Sequence, residues 1–384
     1  MMIFNTTTYY FVIILVFILL TTACGGGASG DNQVPDNDSG NDGTTYNSGL
    51  TGQLFFNSSP QYAYLIDAST GLVKYIPNTN WDEQRERFPS GVSTFLSQAR
   101  PNNNTEILVV AASCKHARTD PLSPMQSCVL IQDYEGDFTS QFELGDTVDY
   151  AKLSPDGQYI AMYRNLNEGS TGHEWLEIYT RDGRLISDKN EEYKNFVWMN
   201  NGRIMSKYNR HFAFTKILST ELDYYLSLPD QINGENLIGS YIHNFSISAD
   251  NTQIAFTLYR INESDNRHGD ELFIMDSNGS NIRKLAISTS EDYQFIDDLT
   301  WSPDGRWIMV KEGFTPSQDQ NVLGTSGYLY AIPTEDMGKV FELSIVDSER
   351  SSEVLQFQHD SNLTDSGIIM TTKSLGSVNL EWIP

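Results

Sequence analysis

Few residues in this chain have the types and spacing that chemistry needs. The six histidines, His116, His173, His211, His243, His268 and His359, are scattered without metal-ligand spacing. No nucleophile elbow G-x-S-x-G, H-E-x-x-H, C-x-x-C, Walker loop or G-x-G-x-x-G is present. Two histidines have carboxylates beside them. His173 in GHEWLEIY is followed by Glu174, and His268 in RHGDELFIM by Asp270 and Glu271. On one rim of a fold these would make a cation or polar-ligand patch; solvated loop residues are the plainer alternative. Trp81, Arg85 and Arg87 form the one basic-aromatic cluster in an acidic chain. The expectation is therefore a set of candidate recognition residues, Trp81, Arg85, Arg87, His173 and His268. No catalytic, cofactor-binding or metal-binding residue is expected.

The three cysteines are chemically distinct. Cys24 follows a 12-residue apolar run, YYFVIILVFILL, and the small residues of LLTTACGGG. The run is too short for an ordinary membrane span and suits a signal-peptide core. The segment resembles a bacterial lipoprotein lipobox. That resemblance implies a diacylated Cys24 as the first mature residue and, because Gly25 is not Asp, an outer-membrane address. An ordinary signal peptide or an uncleaved anchor is the alternative. With Cys24 lipidated, Cys114 and Cys128 remain as one pair, expected as a disulfide in an oxidising compartment. Two buried free thiols are the alternative.

Composition separates the chain into zones. Residues 1–23 read as signal peptide. Residues 24–51, rich in Gly, Asp, Asn and Ser, cannot repay their ordering entropy and read as a flexible tether. Residues 52–384 supply the aromatics for a large core; the whole chain holds 20 Tyr, 19 Phe and 6 Trp. Net charge is −25, which repels nucleic acid and anionic lipid headgroups. Contact with a membrane is then expected through the lipid anchor alone.

What must position any site in the last zone is a repeat. AKLSPDGQYIAM (151–162) returns as LTWSPDGRWIMV (299–310), with looser copies at 99–110, 197–205 and 246–256. Each is an alternating strand, a tight turn and a second strand. Gly157 and Gly305 are set where φ > 0 is needed, with Asn201 and Asn251 as tolerable substitutes. A second hairpin phrase falls between the copies, as in YLIDASTGLVKYI (64–76) and LYAIPTEDMGKVFEL (329–343). Four strands per repeat, with no credible helix, predict an all-β fold: a β-propeller of four-stranded blades. Leftover strands at both ends favour seven blades and allow six. LEWIP, echoing LTWSP, is expected to return and close the first blade.

The copies at 151–187 and 246–312 resemble the WD40-like PD40 repeats of TolB-type propellers. The likeness, loose elsewhere, spans about residues 52–384. The α/β domain that precedes the propeller in TolB has no counterpart here, so its partner-binding role is not implied. The expected function is a tethered, non-catalytic binding module for a protein or envelope component. The alternative is a metal-dependent, lactonase-like hydrolase with carboxylate or His ligands converging on the central channel.

Overall fold

A computed structural model describes residues 48–59, 62–76, 96–99, 105–112, 127–135, 137–144, 148–166, 173–190, 196–217, 222–237, 239–262, 267–288, 294–314, 326–335, 338–344, 348–356 and 380–384. Among these every regular element is a β-strand. Blade 1 holds β1 (Gln53–Ser59), β2 (Tyr62–Asp67) and β3 (Val73–Ile76). Blade 2 holds β4 (Leu96–Ala99), β5 (Ile107–Ala112), β6 (Ser127–Gln132) and β7 (Phe138–Leu144). Blade 3 holds β8 (Val148–Leu153), β9 (Tyr159–Leu166), β10 (His173–Thr180) and β11 (Leu185–Asn190). Blade 4 holds β12 (Phe196–Trp198), β13 (Arg203–Tyr208), β14 (His211–Lys216) and β15 (Leu222–Ser227). A short hairpin, β16 (Gln231–Ile232) and β17 (Glu235–Asn236), leads into blade 5. Blade 5 holds β18 (Tyr241–Ile247), β19 (Gln253–Asn262), β20 (Arg267–Asp276) and β21 (Arg283–Ser288). Blade 6 begins with β22 (Gln294–Trp301), β23 (Trp307–Phe314) and β24 (Ser326–Pro333).

Among the described residues six blades form, the smaller of the two counts that the repeat allowed. Two strand placements absorb the apparent surplus. The segment expected as the outer strand after β24, β25 (Phe341–Leu343), pairs in parallel with β21 of blade 5 instead. Its place at the edge of β24 goes to β26 (Leu355–Gln356), from the stretch that favoured a seventh blade. GIIMTT (367–372), another of the leftover stretches, lies outside the described residues. The last strand, β27 (Leu380–Ile383), pairs antiparallel with β1 and is the innermost strand of blade 1. LEWIP does therefore return to close the ring.

Alternation explains the packing. Successive side chains of a strand point to opposite faces, and both faces of each blade are buried. In β5, Ile107 and Val109 pack toward blade 1, whereas Leu108 and Val110 pack toward blade 3. Six apolar clusters result, one per blade junction. The last unites Leu54 and Ile66 of blade 1 with Met309 and Ala331 of blade 6 and with Trp382. The junction of blades 4 and 5 is the most aromatic. Phe212 meets Phe245 and Phe256 edge-on at 5.5 and 5.8 Å, and Phe256 stacks on Phe273 at 5.6 Å. Such pairs contribute about 0.5–1.5 kcal/mol each beyond area burial.

The repeated phrase has one hydrogen-bond plan. In blade 3, Ser154 Oγ donates to Asp156 Oδ1 at 2.6 Å and accepts from Tyr159 N at 2.9 Å. Ser248 with Asp250, and Ser302 with Asp304, repeat it in blades 5 and 6. The next residue must then turn left-handed: Gly157 and Gly305 have φ of 71° and Asn251 of 61°. The recurring tryptophan tethers blades. Trp198 and Trp301 each donate an indole N–H to an inner-strand carbonyl of the preceding blade, Lys152 O at 2.9 Å and Ser246 O at 3.4 Å.

Candidate functional site

The innermost strands line the central channel, and their polar residues bind one another. Tyr150, Asn244 and Asp298 occupy the same register, seven residues before the turn residue of their repeats. Each reaches the inner strand of the next blade. Tyr150 Oη lies 3.5 Å from Phe196 O, Asn244 Nδ2 donates to Ile296 O at 2.6 Å, and Asp298 Oδ2 accepts from Leu380 N at 2.8 Å. Lys152 spans from blade 3 to Glu381 of blade 1, an ion pair at 3.5 Å.

Titration of these groups follows from their surroundings. Burial pushes Asp298 up to about 6, against the Leu380 N–H bond and the Lys152 charge, which favour its anion. Burial pulls the Lys152 ammonium down, but Tyr150, Glu381 and Asp298 outweigh it and hold the amine above its usual range. A cation in this part of the channel would have to displace Lys152. Among the described residues no group of three or more His, Cys, Asp or Glu gathers where a metal ion could sit.

A different arrangement occupies the face where inner strands begin, at the mouth between blades 4 and 5. The inner strand β18 is bulged between Ile242 and Phe245, as β8 and β22 are between Val148 and Tyr150 and between Ile296 and Asp298. A bulge re-aims the residue it carries. Here that residue is His243, whose Nδ1 lies 2.8 Å from Asp270 Oδ2. The Asp270 carboxylate is buried and also accepts from Ile296 N at 2.9 Å. It thereby fixes the ring against the start of blade 6. Lys207, near the end of β13, donates to Ile242 O at 2.9 Å and to His243 O. Burial pulls its amine down to about 8, with Asp270 opposing.

Tyrosines border this cluster. Tyr241 and Tyr259 are cross-strand partners with ring centroids 5.1 Å apart; Tyr208 ends the strand carrying Lys207 but alternates to its other face. Tyr208 and Tyr241 are each 43% exposed. Burial, then Tyr259 and Asp270, raise the Tyr241 hydroxyl above its ordinary value. The mouth thus offers apolar ring faces, hydroxyls, an imidazole and an amine on a rigid aromatic floor. That combination suits recognition of a mixed polar and apolar surface.

The residues singled out by sequence fall unevenly. His173 is the first residue of β10 and His268 the second of β20, paired with Leu166 and Ile261. Both third strands start on the face of the tyrosine mouth. Asp270 and Glu271, grouped with His268 as a rim patch, are both engaged elsewhere, Asp270 by His243 and Glu271 by Lys284 at 3.0 Å. Trp81, Arg85, Arg87, Cys24 and Cys114 lie outside the described residues. Cys128, in β6, is disulfide-bonded. Sequence reasoning missed His243 and Lys207. The signal available was register: His243 stands eight residues before Asn251, where Asp149 and Asp297 stand before Gly157 and Gly305.

No family model matches the chain, and no curated relative does. Among solved structures it is similar to a functionally unknown protein from Desulfotomaculum acetoxidans, at 11% identity and TM-score 0.43, covering 87% of this chain and 100% of that one. It is similar to Kuenenia stuttgartiensis hydrazine synthase at 14% identity and TM-score 0.39, covering 71% and 79%. It is also similar to the β-propeller domain of the trilobed protease from Pyrococcus furiosus, described as having an open velcro topology, at 11% identity and TM-score 0.37, covering 66% and 77%. With TM-scores below 0.5, none carries a functional argument to this chain.

Proposed function

We propose that this chain is an exported bacterial lipoprotein whose six-bladed propeller is a non-catalytic binding module for a protein or cell-envelope component. One observation carries the reading. The channel charges are engaged with one another, whereas at the mouth Tyr241 stays 43% exposed, two residues before His243 and packed near Tyr259. Exposed aromatics around fixed polar groups are what recognition surfaces are built from. The Ser-x-Asp turns of blades 3, 5 and 6 support kinship with TolB-type propellers.

The address rests on the lipobox-like LLTTACGGG. Cys24 carries the lipid, the Gly/Asp/Asn/Ser segment is the tether, and the outer membrane is the site. Cys114 is the proposed partner of Cys128. Mass spectrometry of the mature chain should find a diacylated N-terminal Cys24; an N-terminus elsewhere rejects the anchor.

Capture from native envelope tests the binding role. Wild type and the Tyr241→Ala variant are compared after both are shown to melt alike. The wild type should retain a partner that the variant loses by about tenfold or more, as loss of a hot-spot aromatic implies. Equal capture by the two would reject the mouth as the binding surface.

A further inference from the structure

The face opposite the tyrosine mouth, where the Ser-Pro-Asp-Gly turns lie, contains a cleft that the reading above does not use. Its cause is one missing residue. In blades 3, 5 and 6 the inner turn closes from Ser154 N to Tyr159 O, Ser248 N to Gln253 O and Ser302 N to Trp307 O. In blade 4 it closes from Met199 N to Arg203 O, one residue shorter. At neighbouring junctions on this face, side chains bridge the blades. Arg181 donates to Glu106 Oε2 at 3.1 Å, Asn200 N to Asn251 Oδ1 at 3.0 Å, and Arg283 to Thr334 O at 2.6 Å. Between blades 3 and 4 a cleft of about 610 Å³ opens instead, lined by Asp156 and Tyr159 on one side and by Asn201, Arg203, Lys216 and Ile217 on the other. That volume is within the range of small-ligand sites.

We propose that this cleft is a binding site for a neutral saccharide ring. Charge disfavours ionic ligands. Both cations are already ion-paired with one carboxylate, Arg203 with Asp223 at 2.6 Å and Lys216 with Asp223 at 3.5 Å. They retain N–H groups to donate but little net field for an anion, in a chain whose charge is −25. A cationic ligand would face Arg203 and Lys216 directly. That leaves neutral ligands, and the polar side chains of the lining suit a hydroxyl-rich one. Asp156 accepts, Arg203 and Lys216 donate, and Asn201 does both. Asp223 holds the two donors in place before binding, which lowers the ordering cost. The half-buried Tyr159 ring offers a face for the C–H side of a sugar, with Ile217 as apolar floor.

The site is on the other face of the ring from Tyr208 and Tyr241, so either reading fails without the other. The test is saturation-transfer NMR on the full-length protein with D-glucose, D-galactose, D-mannose and N-acetyl-D-glucosamine. Sodium glucuronate and glucosamine hydrochloride serve as charged counterparts. At least one neutral sugar should bind, more tightly than its charged counterparts. Lys216→Met should weaken it about tenfold, the loss of one directed donor. The Lys216 side chain is 57% exposed, so that variant should melt with the wild type. Tyr159→Leu keeps an apolar filler and should also weaken binding, by removing the ring. Three results would each overturn the proposal: no transfer to any neutral sugar, tighter binding of a charged counterpart, or binding unchanged in both variants.

Discussion

The central channel and the tyrosine mouth are built from the same inner strands, yet their polar residues do opposite jobs. In the channel, Lys152, Glu381, Asp298 and Asn244 satisfy one another and the backbone of the next blade. At the mouth, a bulge in β18 turns His243 aside to Asp270, while Tyr241 stays partly in water. A repeated register position holds the ring together; a bulge and an exposed ring face present a surface. Residue type alone separates neither role, since Asp298 and Asp270 are both carboxylates that accept an amide of the next blade's inner strand. What separates them is that Asp270 also holds His243.

The largest effect should come from the closing strand. Trp382 is 4% exposed, packs in the junction of blades 1 and 6, and donates its indole N–H to Thr51 O at 2.8 Å. Trp382→Ala should cost about 3–5 kcal/mol, the usual range for emptying an aromatic core site, read from urea unfolding. Gly52 shows how closely this strand is seated. A Cβ there would lie 2.5 Å from Ile383 O, and its φ of 87° is itself left-handed. A loss under about 1 kcal/mol would mean that β27 is not what closes the ring.

Asp298 sharpens the contrast through pH. Its folded value lies above the unfolded 3.8, near 6. The folded state then binds the proton more tightly, so this group favours folding at pH below 3.8. That contribution is lost as pH rises through about 6. Asp298→Asn keeps an acceptor for Leu380 N but cannot ionise. Between pH 4 and 7 the variant should gain on the wild type by up to about 3 kcal/mol. A pH-independent difference between the two unfolding curves would contradict the assignment of Asp298 as a buried structural carboxylate.

Much of this was legible in the sequence, for identifiable reasons. A left-handed turn tolerates few residues, so Gly157, Asn251 and Gly305 mark the inner hairpins, and all three have positive φ. Alternation marks strands buried on two faces. The number of blades was less legible. Phe341–Leu343 has the pattern of a hairpin arm, but its partner, β21, belongs to another blade. Pairing across blades depends on tertiary contact that local pattern does not encode. The mouth was hidden for a similar reason. A bulge leaves no signature in His243 itself, and Asp270, in a charged stretch, reads as a solvated loop residue until its burial is seen.

The smallest effect on stability should fall at the mouth. Tyr241, 43% exposed, can be replaced at a cost of about 1 kcal/mol or less. That makes it the place to test the central claim, that recognition occurs at the mouth between blades 4 and 5. A photo-crosslinking amino acid is placed at Tyr241 or at Leu185, an exposed residue at the outer edge of blade 3. Each tethered protein is then irradiated in intact cells. The account predicts a discrete crosslinked species from position 241 and none from position 185. No adduct from 241, or the same adduct from both positions, would contradict it.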